Sequence, residues 1–349
     1  MLGRLSFGSH LQSRGRHRCL SEDGFFSLHL TPRRPFESPL VSEKLSVEIL
    51  RIRSFAIGAL KLTKHGGLSK TVFNRAILSV LIILGLTIQS WGQQSAREFD
   101  RDAGGSAPLW KVEEPFKKDI FTFVRIKYNV DGTYGYGKEP DLRWRIDAPD
   151  SDLNFSFRLQ QVTSIKVNPE GKFLAITDKE LFDYPFIYIV EPGRLTFTDK
   201  EIPILRRYLL NGGFLMCDDF WGDRDWLNFS KELKRVFPDR DAIDLPMDHP
   251  IFHCVFDIKE KPQVPGVDWG IRSEFTGQTY EGRHGPGAEE VHYRAILDDK
   301  QRIMVMICHN TDLGDGWERE GENEYYFREF SEKKAYPMGI NIVFYAMTH

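Results

Sequence analysis

The chain has 349 residues, 41% of them hydrophobic, enough to bury the core of one large domain or two of ordinary size. Residues 1–70 hold 12 Lys/Arg against 5 Asp/Glu, a balance of +7, so the remainder must carry −10 to give the net −3 of the whole. No basic stripe follows residue 100. This argues against nucleic acid as a partner, because neutralising phosphates takes clustered Lys and Arg.

Residues 1–70 are rich in Arg, Ser and Pro and carry no sustained period, which reads as a disordered or mis-started N-terminal extension. Segment 71–92 has the layout of a secretory signal. Lys70 and Arg75 form a positive flank, Ala76 to Ile88 an uncharged apolar run of 13 residues, and Ser90-Trp91-Gly92 offers small residues where a signal peptidase cuts. Roughly 20 apolar residues are needed to span a bilayer, so cleavage before Gln93 and a periplasmic or secreted product are expected. The alternative is an uncleaved anchor, with the protein membrane-bound and facing outside the cytoplasm. A polar linker, 93–120, precedes the folding domain, 121–349.

In that domain Phe121 to Tyr128 reads as the first strand, and Asn129 to Asp147 as a loop bearing Gly132, Gly135, Gly137, Pro140, Tyr134, Tyr136 and Trp144. Asp150 or Ser151 caps a helix carrying Leu153, Phe157 and Leu159, followed by a short strand at Phe173 to Ile176. The centre of the pattern is Pro185 to Trp226. An apolar run, Phe186 to Val190, leads to the capping box Thr198-Asp-Lys-Glu201, a helix with Leu205, Tyr208 and Leu209 on its apolar face, and the stop Asn211-Gly212-Gly213. A second apolar run, Phe214 to Cys217, ends in Asp218 and Asp219. This is one βαβ unit, which puts Glu191, Asp218, Asp219, Phe220 and Trp221 just past strand C-termini, where parallel sheets keep their ligand crevice. Further on, the pattern predicts a helix over Trp226 to Phe237 with Leu227, Leu233 and Phe237 facing inward, and a turn at His249-Pro250. It also predicts an exposed, mobile insert from Phe275 to Glu290, strands His292 to Leu297 and Arg302 to Cys308 about a turn, and a closing apolar helix, Ile340 to Met347. Strands alternating with helices argue for an α/β three-layer sandwich of the doubly wound type.

The strand ends at Glu191, Cys217 to Trp221 and His309 to Trp317 converge on one edge of such a sheet. Their residues allow a carboxylate and histidine site, with Asp219, His309 and Asp315 as catalytic candidates. Glu191, Asp218, Trp221, His249, Asn310, Asp312 and Trp317 are candidates for ligand binding. Hard divalent cations suit such oxygens, and one imidazole would shift preference towards a transition metal; the metal and any other cofactor stay open. Against this stands the reading in which Asp218 or Asp219 caps the helix after Trp221, the His309–Trp317 loop is a turn and His249 bonds its own backbone. Trp221 and Trp317, beside loop glycines, are expected to line a carbohydrate or peptide site, whereas Trp226 belongs to a core. Of the four cysteines, Cys19, Cys217, Cys254 and Cys308, none lies in a CxxC motif, and buried thiols are expected.

The blocks YPFIYIVEPG, LRRYLLNGGFLMCDDFWG, the His249-Pro250 turn, HNTDLGDGWE and AYPMGINIVFYAMTH, in this order, resemble the bacterial "domain of unknown function 4159" (DUF4159) family over about Phe121 to His349. That resemblance implies a flavodoxin-like, mostly parallel sheet similar to class I glutamine amidotransferases and trehalose-utilisation-type proteins, with no established activity. In the amidotransferases the nucleophilic Cys sits on an elbow between glycines. Cys217 lies between Met216 and Asp218, so it is expected to be a strand residue rather than a nucleophile. The favoured reading is a non-catalytic binding or assembly module of the cell envelope, with an envelope protein or carbohydrate as partner. Its competitors are a hydrolase of a carbohydrate or amide using Asp219, His309 and Asp315, with or without a metal, and a partner protein tethered by Val72 to Trp91.

Overall fold

A computed structural model describes residues 95–96, 107–112, 120–130 and 142–349. The expected extension at 1–70, the signal-like segment 71–92, Tyr134 and Tyr136 lie outside the described residues. Among the described residues no helix is long and apolar enough to cross a membrane.

The strands are β1 (Val124–Lys127), β2 (Asn129–Val130), β3 (Lys172–Ala175), β4 (Phe186–Val190), β5 (Leu195–Thr196), β6 (Phe214–Asp218), β7 (Ile243–Asp244), β8 (His292–Leu297) and β9 (Ile303–His309). Seven of them form one sheet in the order β3-β1-β4-β6-β9-β8-β7, and β2 pairs with β5 apart from it. The pairs from β3 to β9 are parallel; β8 and β7 join antiparallel. The chain moves from β1 outward to β3 and then back across β1 to β4. This reversal opens the crevice of a parallel sheet at the strand C-termini.

Because side chains alternate along a strand, each central strand feeds two cores. Phe186, Tyr188, Phe214, Met216, Met306 and Cys308 pack on one face with α1 (Asp150–Val162) and the C-terminal helices. Ile187, Ile189, Leu215, Cys217, Val305 and Ile307 pack on the other with α2 (Glu201–Leu210) and α3 (Gly222–Val236). Runs that are apolar at every position are therefore buried on both sides, and the result is a helix–sheet–helix sandwich.

The capping box closes as its spacing predicts: Thr198 N–H donates to Glu201 Oε2 at 2.8 Å, and Glu201 N–H to Thr198 Oγ1 at 3.3 Å. Helix α2 stops at Asn211, and β6 begins after Gly213, whose N–H donates to Tyr208 O at 3.0 Å. Helix α3 departs from expectation. It starts at Gly222 rather than Trp226, and Leu227 is 67% exposed instead of inward. The reason is a cap from a distant loop, since Gly222 N–H donates to Asn310 Oδ1 at 2.8 Å, which no local pattern announces.

The remaining α-helices are α4 (Val267–Thr276), the short α5 (Leu313–Glu318), and a single turn at Glu324–Tyr326 that leads through a π-helix over Phe327–Ala335 into α6 (Tyr336–Thr348). The insert Phe275 to Glu290 is largely exposed, as expected, with Phe275 at 84%, but it is also a strap tied to the strand ends. Ala288 and Glu281 are buried, Asn310 Nδ2 donates to Gly287 O and Glu290 O at 2.6 Å each, and Asp223 N–H donates to Pro286 O at 2.9 Å.

Candidate functional site

The C-terminal ends of β4, β6 and β9 are adjacent and cross-tied by backbone bonds. Glu191 N–H donates to Asp218 O at 3.0 Å, Asp219 N–H to Thr311 O at 3.1 Å and Asn310 N–H to Phe220 O at 2.9 Å. To leave the sheet at these points the chain turns sharply, so Glu191, Asp219 and Asn310 adopt φ of 45°, 54° and 62°, and Asp147 joins them at 62°. Non-glycine residues avoid this left-handed region. Four such residues around one crevice mark strain held in place by the surrounding structure.

The crevice is lined with carboxylates. Ligand oxygens of Asp147, Asp219 and Asp312 lie within 4.8 Å of one another, and so do those of Asp147, Asp315 and Glu318. Three of the five are aimed by specific contacts. Trp221 Nε1–H donates to Asp219 Oδ1 at 3.2 Å. Asp312 Oδ1 caps α5 by accepting Asp315 N–H at 2.7 Å, and Asp315 Oδ2 accepts Val267 N–H at 2.5 Å. Behind them Asp218 Oδ2 accepts Gly314 N–H at 2.9 Å and the Tyr188 hydroxyl at 3.3 Å. A Cβ on Gly314 would stand 2.5 Å from Asp147 Oδ2, so any larger residue there would displace that carboxylate.

Asp147 was not among the candidates read from the sequence, and it owes its position to a charge buried in β1. Arg125 is fully buried, pairs with Asp152 through Nε (3.0 Å) and Nη2 (2.5 Å), and donates through Nη1 to Trp144 O at 3.2 Å and Ile146 O at 2.6 Å. It thereby holds the turn that presents Asp147, whose Oδ2 is enclosed without a hydrogen-bond partner. Glu318 and Glu281 were likewise not anticipated. An Arg lodged in the apolar run FTFVRIKY was the signal available for the first of these three, because a charge in a doubly buried strand needs an inward partner.

Burial raises the carboxyl groups, and their mutual repulsion raises them further. Asp147, Asp219 and Asp312 stand well above the usual carboxylate range. Burial comes first for each, followed by Asp315 acting on Asp147, Glu191 on Asp219, and Asp219 on Asp312. Asp315 is raised as well, mainly by burial. Burial pushes Glu318 and Asp218 up to about 7. Glu281 runs the other way: burial opposes its ionisation, but His284, Arg283 and the Gly266 N–H outweigh it. At the mouth Glu191 is half-buried and ion-paired with Arg143.

The other candidates fall elsewhere. His309 turns to the far side of its strand, with Nδ1 2.8 Å from Arg294 Nη1 and Nε2 3.2 Å from Gly222 O. A ring that accepts from a guanidinium and donates to a carbonyl is neutral, and burial together with Arg294 pushes it down to about 3. It therefore does not join Asp219 and Asp315. Trp221 and Trp317 are fully buried rather than lining a ligand groove, and the Trp317 indole packs on Phe155 at 4.5 Å between centroids. Asn310 bonds the strap and α3 with its whole amide. His249 accepts Ile251 N–H and faces Tyr345. Neither Asp218 nor Asp219 caps α3; Asp218 serves α5 instead. Cys217 is fully buried in β6, and burial with Asp218 beside it raises its thiol well above the usual range.

Residues 122–347 match the family described as "Domain of unknown function (DUF4159)". The chain belongs to the DUF4159 family. No curated protein matches it. The matched residues of this DUF4159 domain run from β1 into α6 and include every carboxylate of the crevice.

Proposed function

We propose that this DUF4159 domain is a cation-dependent binding module of the cell envelope, an amidotransferase-like sandwich whose crevice works through carboxylates instead of a thiol. The observation that carries it is the convergence of Asp147, Asp219 and Asp312 within 4.8 Å. Oxygens sharing one ion at about 2.0–2.5 Å from it stand no more than about 5 Å apart, which is the separation seen. Asp147 Oδ2, buried and without a hydrogen bond, supplies a lone pair that a cation would use. A set made of oxygens alone favours Mg²⁺, Mn²⁺ or Ca²⁺ over softer metals. The bound ion would take its outer ligand from an oxygen-rich partner, a carbohydrate or an acidic group of an envelope protein. The signal-like segment 71–92 supports export.

A second reading, hydrolysis of a carbohydrate or amide by a cation-bound water, is favoured by Glu318. Its carboxyl, near 7, is matched to proton donation at neutral pH. Equilibrium dialysis of the full chain against Mn²⁺, followed by elemental mass spectrometry, tests the shared premise. Mn²⁺ should be retained in full by the wild type and by Cys217→Ala and reduced in Asp219→Asn. A wild type that retains none at millimolar Mn²⁺ sinks both readings.

A further inference from the structure

Resting on the cation site just proposed, we infer that the crevice holds two divalent ions bridged by Asp147. The two sets of converging oxygens, Asp147/Asp219/Asp312 and Asp147/Asp315/Glu318, share only that residue. A carboxylate common to two three-residue sets can give one oxygen to each ion, the arrangement by which ions about 3.5–4 Å apart act jointly on a ligand. Its left-handed turn is fixed by Arg125 through the Ile146 carbonyl beside it, so Asp147 is presented rigidly.

Charge points the same way. The two sets together hold five carboxylates, and among the described residues Arg319 is the cation ion-paired with them, at 2.6 Å from Glu318 and 3.6 Å from Asp315, while its Nη1 also pairs with Glu322 at 2.6 Å. Arg125 is neutralised by Asp152, Arg143 by Glu191, and Arg283 by Glu281. Once ionised, the five carboxylates, with a guanidinium that Arg319 shares with Glu322, are left at −2 or below by one divalent ion and close to neutral by two. Burying net charge of that size is strongly unfavourable. Neither set contains a His or Cys, so both positions suit the same hard cation.

The test uses the full chain loaded with Mn²⁺, read by stoichiometry and by electron paramagnetic resonance. Two Mn²⁺ per chain with an exchange-coupled spectrum are expected. Glu318→Gln should reduce this to one ion with the six-line spectrum of isolated Mn²⁺, and so should Asp312→Asn, in which Asn still caps α5. Circular dichroism confirms that each variant is folded. One Mn²⁺ in the wild type, uncoupled and unchanged by Glu318→Gln, overturns the bridged pair and leaves the single-cation site standing. No Mn²⁺ at all overturns both.

Discussion

Asn310 shows how a single polar residue sets the geometry of the crevice. Its backbone sits at φ 62°, where Asn is tolerated better than most residues, and its amide makes three bonds that join α3 and the strap to the end of β9. Asn310→Asp keeps the acceptor for Gly222 N–H but sets a carboxylate oxygen against two carbonyls at 2.6 Å. The loss of two donors and the burial of a repelled charge should cost about 3 kcal/mol. Asn310→Gly relieves strain worth about 1 kcal/mol but forfeits three hydrogen bonds of about 1 kcal/mol each, so it too should destabilise, by about 2 kcal/mol. Urea denaturation checks both. A neutral Asn310→Asp would mean that the amide bonds do not hold the strap. The sequence pointed to this loop but suggested that Asn310 touches ligand; its partners lie 20 to 88 residues away and leave no local trace.

Among the elements, the turn from Trp144 to Asp152 is the one on which the proposed site depends, and β1 controls it through Arg125. Removing one partner of a buried pair leaves an uncompensated charge, so Arg125→Met should cost about 3–5 kcal/mol. Arg125→Met with Asp152→Leu removes both charges and should recover most of that stability. It should not recover Mn²⁺ affinity, because the carbonyls of Trp144 and Ile146 have lost their donor and Asp147 is no longer held. Denaturation and Mn²⁺ titration of the double variant separate the two effects, and recovery of both would detach Asp147 from Arg125. The same element marks the limit of legibility. The strand–helix–strand centre was readable because its apolar alternation, capping box and glycine stop are local, and it located Glu191, Asp218 and Asp219 at strand ends. Asp147 and Glu318 became neighbours only through the order of strands in the sheet. His309 was readable as a strand-end residue, but the direction of its ring depends on Arg294 of β8, its antiparallel neighbour.

At the scale of the whole molecule the crevice leaves a signature in the pH dependence of stability. A carboxyl whose folded value lies above its unfolded one favours the fold while protonated. Stability is therefore full below the unfolded value and is lost as pH rises through the folded value. For Asp218 and Glu318 the unfolded values are 3.8 and 4.5 and the folded values about 7, and Asp147, Asp219, Asp312 and Asp315 act in the same direction. His309 has the opposite sign. Held neutral down to about 3 against 6.5 when unfolded, it contributes stability above 6.5 that is lost as pH falls towards 3. Below 6.5 the two limbs oppose each other; above it His309 adds no further change, and the carboxyls act in the same direction as exposed His253, which the Met247 carbonyl and Asp257 raise. The thermal midpoint of the cation-free protein should therefore fall from pH 6.5 through about 7, with a shallower fall in Glu318→Gln, which removes one of the titrating groups. Millimolar Mn²⁺ should flatten this limb, since ions that bind the ionised carboxylates and not the unfolded chain stabilise by mass action, increasingly as protons leave. Scanning calorimetry across this range, with chelator and with Mn²⁺, reads both effects. A falling limb that Mn²⁺ leaves unchanged would mean that the carboxylates share protons rather than metal.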